Sequence, residues 1–308
     1  MNRFVVLRES LLKRRLLLPV LALGGAAAWR TFAARRNRIV YPAPESLIIE
    51  PDADSAGSDR FIALEGAANV RDIGGYATSD GRHVRRGRVY RSGTLAEITE
   101  NDQRALQTLG LKLICDLRSD SEVTKAPDRL PVGITYTRIP VNADPKDEQQ
   151  FRLRTLLFHK RRFSAVVAEL YRRMIDDHAP VFGQVFRRLA DSDSLPALVH
   201  CTAGKDRAGL TMALLLLALG VPEAVVIADY SLSNRYYDHF RRYVPLKRLR
   251  LLGVTVEDMQ PFLVADPQIL RDALRYLAER YGSVLDYLRQ QAGVDDETLE
   301  RLKANLLL

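Results

Sequence analysis

An α/β fold, with a mostly parallel central sheet flanked by helices, is predicted by three observations. First, the short apolar run Leu195-Pro196-Ala197-Leu198-Val199 precedes a polar turn and then a long apolar stretch, residues 209–219, that stops at Gly220 and Pro222. The first run reads as a buried strand and the second as a buried helix. Second, Thr99, with Asp102 three residues on, caps a helix whose apolar face is Ala105, Leu106 and Leu109. Gly110 ends it, and residues 111–115 follow as the next strand. Third, Phe61-Ile62-Ala63-Leu64 reads as a further strand. Strands that alternate with helices in this way build α/β layers.

The chain has 308 residues, enough for one large or two modest domains, and its 47% hydrophobic and 27% charged content is that of a globular protein. Its net charge of +8 raises the question of a nucleic-acid or membrane partner. Nine of the 46 basic residues and one of the 38 acidic ones lie in residues 1–40, which leaves 37 of each sign in the remainder. The folded part therefore carries no bulk charge argument for nucleic-acid binding. Two cysteines, Cys115 and Cys201, stand alone without metal-ligand spacing, so neither a disulfide scaffold nor a zinc site is expected.

In chain order, residues 16–29 are uncharged and mostly apolar, with Lys13-Arg14-Arg15 before them and Arg30 after. Fourteen residues fall short of a comfortable span but suit the apolar core of an export signal, with Ala26-Ala27-Ala28 as a small-residue cleavage site. Arg14-Arg15-Leu16-Leu17-Leu18 is similar to a twin-arginine signal. The alternative is an uncleaved membrane anchor with snorkelling arginines. Residues 1–40 are thus expected to be an export signal or an anchor, for an exported (periplasmic or secreted) or membrane-anchored protein. The proline-, serine- and aspartate-rich residues 41–59 read as a linker, and residues 60–308 as the catalytic domain.

Gly74-Gly75 marks a tight turn after the first strand. Beyond Pro140, residues 142–150 read as a loop, followed by helices carrying Phe151, Leu153, Leu156 and Phe158 and then Val166, Leu170 and Met174. Lys160-Arg161-Arg162 reads as a solvated helix face.

The strand-to-helix turn His200-Cys201-Thr202-Ala203-Gly204-Lys205-Asp206-Arg207-Ala208 carries the chemistry. It ends at a helix N-terminus, where unpaired N–H groups and the positive end of the macrodipole make an anion site. A cysteine there, beside cationic groups, is favoured as the thiolate. Arg207, six residues after Cys201 with five between, can turn its planar fork over the loop and grip two oxygens of one phosphate. The pattern places a nucleophile beneath a clamped phosphoryl group.

This stretch resembles the signature loop of the cysteine-dependent phosphatases, and most of all that of the bacterial PtpB-like tyrosine phosphatases. Asn69-Val70-Arg71-Asp72-Ile73-Gly74-Gly75-Tyr76 resembles a second marker of that family, and Asp116-Leu117-Arg118-Ser119 a third. Tyr90-Arg91-Ser92-Gly93, Asp229-Tyr230-Ser231-Leu232-Ser233-Asn234 and Tyr281-Gly282-Ser283-Val284 are also similar to family segments, so that the resemblance covers residues 60–308.

The resemblance implies a tyrosine-phosphatase-like sheet with helical lid insertions, no cofactor and no metal, and hydrolysis of phosphotyrosine in proteins through a cysteinyl-phosphate. It assigns Cys201 as nucleophile, Arg207 as phosphate clamp and Asp206 as leaving-group acid, with Asp116 and Asp72 behind it; the alternative for Asp206 is that it only orients Arg207. Thr202, Ala203, Gly204 and Lys205 are expected to bind phosphate, and Arg118 and Asp116 to border it. Cys115 is implied as a redox partner that protects the nucleophile by a reversible disulfide. Lys205 leaves open a phosphoinositide or multi-specificity phosphatase. One departure stands out: the family usually has Thr or Ser after the arginine, where a hydroxyl stabilises the departing thiolate, and here the residue is Ala208. Thr202 or Thr211 is left to substitute, phosphoenzyme hydrolysis is expected to be slow, and a phosphate-binding module with little turnover is the reading from another class.

Overall fold

A computed structural model describes residues 41–51, 60–141, 163–242 and 255–308. The expected signal or anchor, the polar loop after Pro140, the expected helix from Phe151 to Phe158 and Lys160-Arg161-Arg162 lie outside the described residues. Among the described residues no helix is long and apolar enough to cross a membrane.

Strand and helix alternate as the sequence predicts, with β1 Arg71–Asp72, β2 Val89–Ser92, α1 Glu100–Thr108, β3 Leu113–Asp116, α2 Asp120–Lys125 and β4 Thr135–Arg138. There follow α3 Phe163–Asp177, α4 Ala179–Leu189, β5 Ala197–His200, α5 Arg207–Ala218, α6 Glu223–Ser231 and a 3-10 turn, Leu232–Tyr236. The chain closes with α7 Tyr237–Arg241, α8 Val256–Leu263, α9 Pro267–Tyr281, α10 Val284–Gln290 and α11 Asp296–Leu306. The five strands lie in the order β1-β2-β5-β3-β4, all parallel except β1.

Alternation along the central strands divides the core in two. Val89, Leu113, Cys115, Ala197 and Val199 point into the large cluster under α3–α6 and α9–α11. Tyr90, Ile114 and Leu198 point into a smaller one with Leu106 of α1. The helix that follows the signature loop, α5, is buried all round, which explains its unbroken apolar sequence. Thr99 and Asp102 form a reciprocal capping box on α1, as the sequence suggests.

Two expectations are corrected. The first strand is not at residues 61–64: Phe61 makes a single bridge to Arg71, and the strand pairing to β2 is made by Arg71 and Asp72. Residues 42–51 do not hang as a free linker, because the compact unit begins at Pro42. Ile49 N–H donates to Ser231 Oγ at 2.8 Å, Gln260 Nε2 to the Pro42 carbonyl at 2.8 Å, and Arg235 pairs with Glu50 at 2.6 Å.

The register sets the site. Ser92, His200 and Asp116 stand side by side at the C-terminal ends of β2, β5 and β3. The loops after these three strands, including residues 201–206, therefore emerge together, at the edge where α/β sheets bind ligands.

Candidate active site

Cys201 follows β5 directly and is 2% exposed. In the loop that follows, residues 202–206, the Gly204 N–H donates to the Cys201 Sγ at 3.2 Å. Gly204 holds φ +67°, and a Cβ there would lie 2.3 Å from the Ser92 carbonyl oxygen, so both the backbone twist and the close approach to β2 require glycine.

Arg207, the first residue of α5, folds back over the loop. Its Nη1 and Nη2 donate to Glu122 Oε2 and Oε1, each at 2.7 Å, and make longer contacts of 3.4 Å to the Leu117 carbonyl and 3.3 Å to Thr202 Oγ1. This two-pronged pair fixes the guanidinium plane. Glu122 is itself fixed by Ser119 N–H and Oγ and by Thr202 Oγ1. Burial alone would raise the Glu122 carboxyl, but the Arg207 guanidinium and these donors outweigh it and hold it well below the carboxylate range. Burial likewise opposes the charge of Arg207, and Glu122 more than restores it.

Beside Arg207, the Asp206 side chain is 36% exposed. Its Oδ1 accepts from Lys205 Nζ at 2.6 Å and from Tyr171 Oη at 3.0 Å, and Tyr171 shares a 2.6 Å bond with the Tyr230 hydroxyl.

A family model described as the tyrosine phosphatase family matches residues 62–308. The chain belongs to this tyrosine phosphatase family. It is 34% identical over 250 residues to a protein carrying the name tyrosine-protein phosphatase in Cupriavidus necator, covering 80% of this chain and 89% of the relative. It is 30% identical over 275 residues to the triple specificity protein phosphatase PtpB of Mycobacterium tuberculosis, covering 79% of this chain and 98% of that one. A tyrosine-protein phosphatase of Nostoc commune matches at 35% over 150 residues, 48% of this chain and 49% of the relative.

Within this tyrosine phosphatase the expected site residues separate into three groups. Cys201, Asp206 and Arg207 come together at one loop, with Thr202, Ala203 and Gly204 as its backbone. Lys205 belongs there through its main chain only. Its side chain is buried and its Nζ reaches the Asp206 carboxylate and, at 3.1 Å, the Val264 carbonyl ahead of α9, so it braces that carboxylate and the Val264 carbonyl.

Asp116 and Arg118 form a separate buried cluster, which replaces the expectation that they border the phosphate. Arg118 Nε and Nη2 bind Asp116, Nη2 also binds Asp128 at 2.5 Å, and Nη1 donates to Thr94 Oγ1 and the Ala126 carbonyl, both at 2.8 Å. Every side-chain nitrogen of Arg118 is thus engaged within the protein. Burial works against the Asp116 charge, but His200 and Arg118 hold its carboxyl below the ordinary value. Asp116, Asp128 and His200 bring ligand-type atoms within 4.8 Å of one another, yet the Arg118 guanidinium already bonds both carboxylates and supplies the positive charge a metal would bring. Asp72 lies on the edge strand β1 opposite Tyr90, where its carboxylate accepts from the Gly74 and Gly87 N–H groups.

Cys115 lies in the middle of β3 opposite Val199, and both cysteines are free. Burial pushes its thiol up to about 12, so it is a packed neutral side chain at physiological pH. The hydroxyls expected to serve in place of one at Ala208 are committed elsewhere: Thr211 Oγ1 donates to the Arg207 carbonyl at 2.8 Å and Thr202 Oγ1 to Glu122 at 2.5 Å.

Sequence reasoning missed Glu122 and Tyr171. Ser119-x-x-Glu122 is a legible capping-box pattern, and the box is present at the start of α2. The second task of Glu122, orienting Arg207, has no local signal.

Proposed function

We propose that this enzyme hydrolyses phosphotyrosine in proteins by way of a cysteinyl-phosphate on Cys201. The observation that supports it best is the focus of the loop on one sulfur, with Gly204 N–H at 3.2 Å and Arg207 locked alongside by Glu122. In the first half-reaction Sγ attacks phosphorus in line, the S–P bond forms, and the P–O bond to the tyrosine breaks. Asp206 delivers the proton that the phenolate oxygen takes. Both hydrogen bonds to Asp206 fall on Oδ1, so Oδ2 is assigned the proton. In the second half-reaction water attacks phosphorus, the S–P bond breaks, the water proton returns to Asp206, and inorganic phosphate leaves.

Phosphate oxygens meet the loop N–H groups and Arg207. The Arg207 contacts at 3.3 and 3.4 Å to Thr202 and Leu117 are the ones exchanged for oxyanion contacts, while the 2.7 Å pair to Glu122 stays. Donors fixed before the substrate arrives are the largest contribution to such catalysis. A lipid phosphate read by Lys205 is disfavoured, since that ammonium is buried against Asp206 and Val264.

The name of the M. tuberculosis relative, a triple specificity protein phosphatase, argues for including phosphoserine and phosphothreonine peptides in the test. The test is phosphate release from phosphotyrosine, phosphoserine, phosphothreonine and phosphoinositide substrates, with Cys201→Ser as the blank. Release from phosphotyrosine peptide by the natural chain only is the expected result. Release by Cys201→Ser would sink the cysteinyl-phosphate route, and a phosphoinositide preferred over the peptide would overturn the substrate class. Asp206→Asn should slow aryl phosphates with poor leaving groups more than p-nitrophenyl phosphate. Residues 1–40 are proposed to export or anchor the enzyme, and cell fractionation with the mature N-terminal sequence checks this.

A further inference from the structure

A loop that binds phosphate through its N–H groups must keep its carbonyls pointing the other way, because C=O and the next N–H of a planar trans peptide are opposed. Carbonyls turned inward to a protein need donors. In this chain four consecutive loop carbonyls have them, all from the side of β1 and β2. Thr202 O accepts from Thr94 N–H at 3.0 Å, and Ala203 O from Asn69 Nδ2 at 3.2 Å. Gly204 O and Lys205 O both accept from Arg91 Nη2, at 2.7 and 3.2 Å. The partner N–H groups of Ala203, Gly204, Lys205 and Asp206 are therefore turned to the concave side. The Gly204 N–H bond to Cys201 Sγ shows one of them doing so.

Arg91 is fully buried, and what holds it is as specific as what it holds. Its Nη1 pairs with Asp229 Oδ2 at 2.9 Å, and Asp229 is bound on its other side by Arg71 Nε at 3.0 Å. Arg71 also bonds the Asn69 amide oxygen, which turns the amide nitrogen of Asn69 toward Ala203. Burial and the neighbouring Arg71 lower Arg91 to about 10, still a cation at neutral pH, with Asp229 supporting the charge. Gly209 completes the socket, since a Cβ there would lie 2.9 Å from Arg91 Nη2.

We infer that Arg91 is a positioning residue for phosphate binding: by holding the Gly204 and Lys205 carbonyls, it aims the Lys205 and Asp206 N–H groups at the phosphoryl oxygens. It touches no substrate and acts through the loop. The inference rests on the phosphatase reading of the Cys201 loop, and it assigns a purpose to three family-like segments, around residues 69–71, 91 and 229, that lie outside the chemistry itself. A lysine at this place keeps the charge against Asp229 but has no planar fork to reach both the carboxylate and two carbonyls.

The test uses the full chain and inorganic phosphate as competitive inhibitor, with kcat and KM for a phosphotyrosine peptide and the melting temperature measured alongside. Arg91→Met should weaken phosphate inhibition about 10- to 100-fold, the effect of losing hydrogen bonds from a charged donor. Arg91→Lys should recover part of that loss. Gly209→Ala, which leaves every charge in place and presses on the tip of Arg91 and, at 3.0 Å, on the Tyr230 ring, should weaken inhibition severalfold. In each, kcat should fall with phosphate affinity. A folded variant of this set that melts lower but is inhibited by phosphate as the natural enzyme is, with kcat unchanged, would show that Arg91 is merely structural. If Arg91→Met fails to fold, Arg91→Lys and Gly209→Ala decide by the same readouts. A natural enzyme that phosphate does not inhibit would overturn the loop's phosphatase reading, an outcome distinct from a variant that matches a phosphate-inhibited natural enzyme.

Discussion

Arg207 and Arg118 follow adjacent strands, β5 and β3, at the same edge of the sheet, and both grip a carboxylate with more than one nitrogen, yet they differ in how much of the donor set is spent. Arg118 is 1% exposed, and all six of its side-chain contacts to Asp116, Asp128, Thr94 and Ala126 are 3.0 Å or shorter. The Arg207 side chain is 15% exposed and has two contacts at 2.7 Å and two beyond 3.2 Å. A guanidinium becomes a substrate group when part of its donor set is poorly spent and can be redirected without leaving a buried acceptor unpaired. The two arginines have the same chemistry and differ in saturation.

Removing each arginine should separate catalysis from stability. Arg207→Ala is expected to cost several powers of ten in kcat/KM for a phosphotyrosine peptide, because it deletes donors aimed at the transition-state charge, with a modest change in melting temperature. Arg118→Met should do the reverse. It strands Asp116 and Asp128 in the interior, a loss of roughly 3–5 kcal/mol in unfolding free energy, while folded protein keeps kcat within a fewfold of natural. Urea unfolding and steady-state kinetics on both variants check the contrast, and a large kcat loss in folded Arg118→Met would break it.

Glu122 sharpens the same comparison. Glu122→Gln keeps an acceptor for Arg207 but removes the charge, so kcat should fall about tenfold through looser orientation of the guanidinium. Its pH dependence has a definite sign. The Glu122 carboxyl is held below its ordinary value of 4.5 in the folded protein, so its stabilisation is complete above that value and is lost as pH falls below it. The stability gap between natural enzyme and Glu122→Gln, roughly 1–2 kcal/mol at pH 7, should therefore narrow below about pH 4.5. Unfolding curves at pH 7 and pH 3.5 measure it, and a gap that widens in acid would contradict the pair.

What was legible in the sequence follows the range of the interactions. The α1 cap, the β5–loop–α5 transition and the α/β alternation rest on contacts within a few residues, and they were read correctly. The apolar run Phe61-Ile62-Ala63-Leu64 reads as the first strand, whereas the pairing to β2 is made by the charged Arg71 and Asp72. Arg71 is buried by a counter-charge, Asp229, 158 positions away. Glu122 reads as a helix cap, and its service to Arg207 spans 85 positions. The family resemblance puts Lys205 and Arg118 at the phosphate, and only their partners in three dimensions show that their side-chain donors are already taken.

The smallest effect predicted concerns the residue after Arg207. Ala208 is fully buried in the first turn of α5, and the nearby threonine hydroxyls are bonded to Glu122 and to the Arg207 carbonyl. On the proposed route Cys201 must leave as a thiolate in the second half-reaction, and the donor found on its sulfur is the Gly204 N–H. A hydroxyl introduced by Ala208→Ser is expected to add one hydrogen bond to that leaving group and speed phosphoenzyme hydrolysis by up to about tenfold. Rapid mixing with p-nitrophenyl phosphate reads this directly. The natural enzyme should release a burst of nitrophenol before its steady state, since the cysteinyl-phosphate accumulates when its hydrolysis is slow. In Ala208→Ser the burst should shrink as kcat rises. A natural enzyme with no burst would place the slow step in the first half-reaction and remove the reason for the hydroxyl to matter.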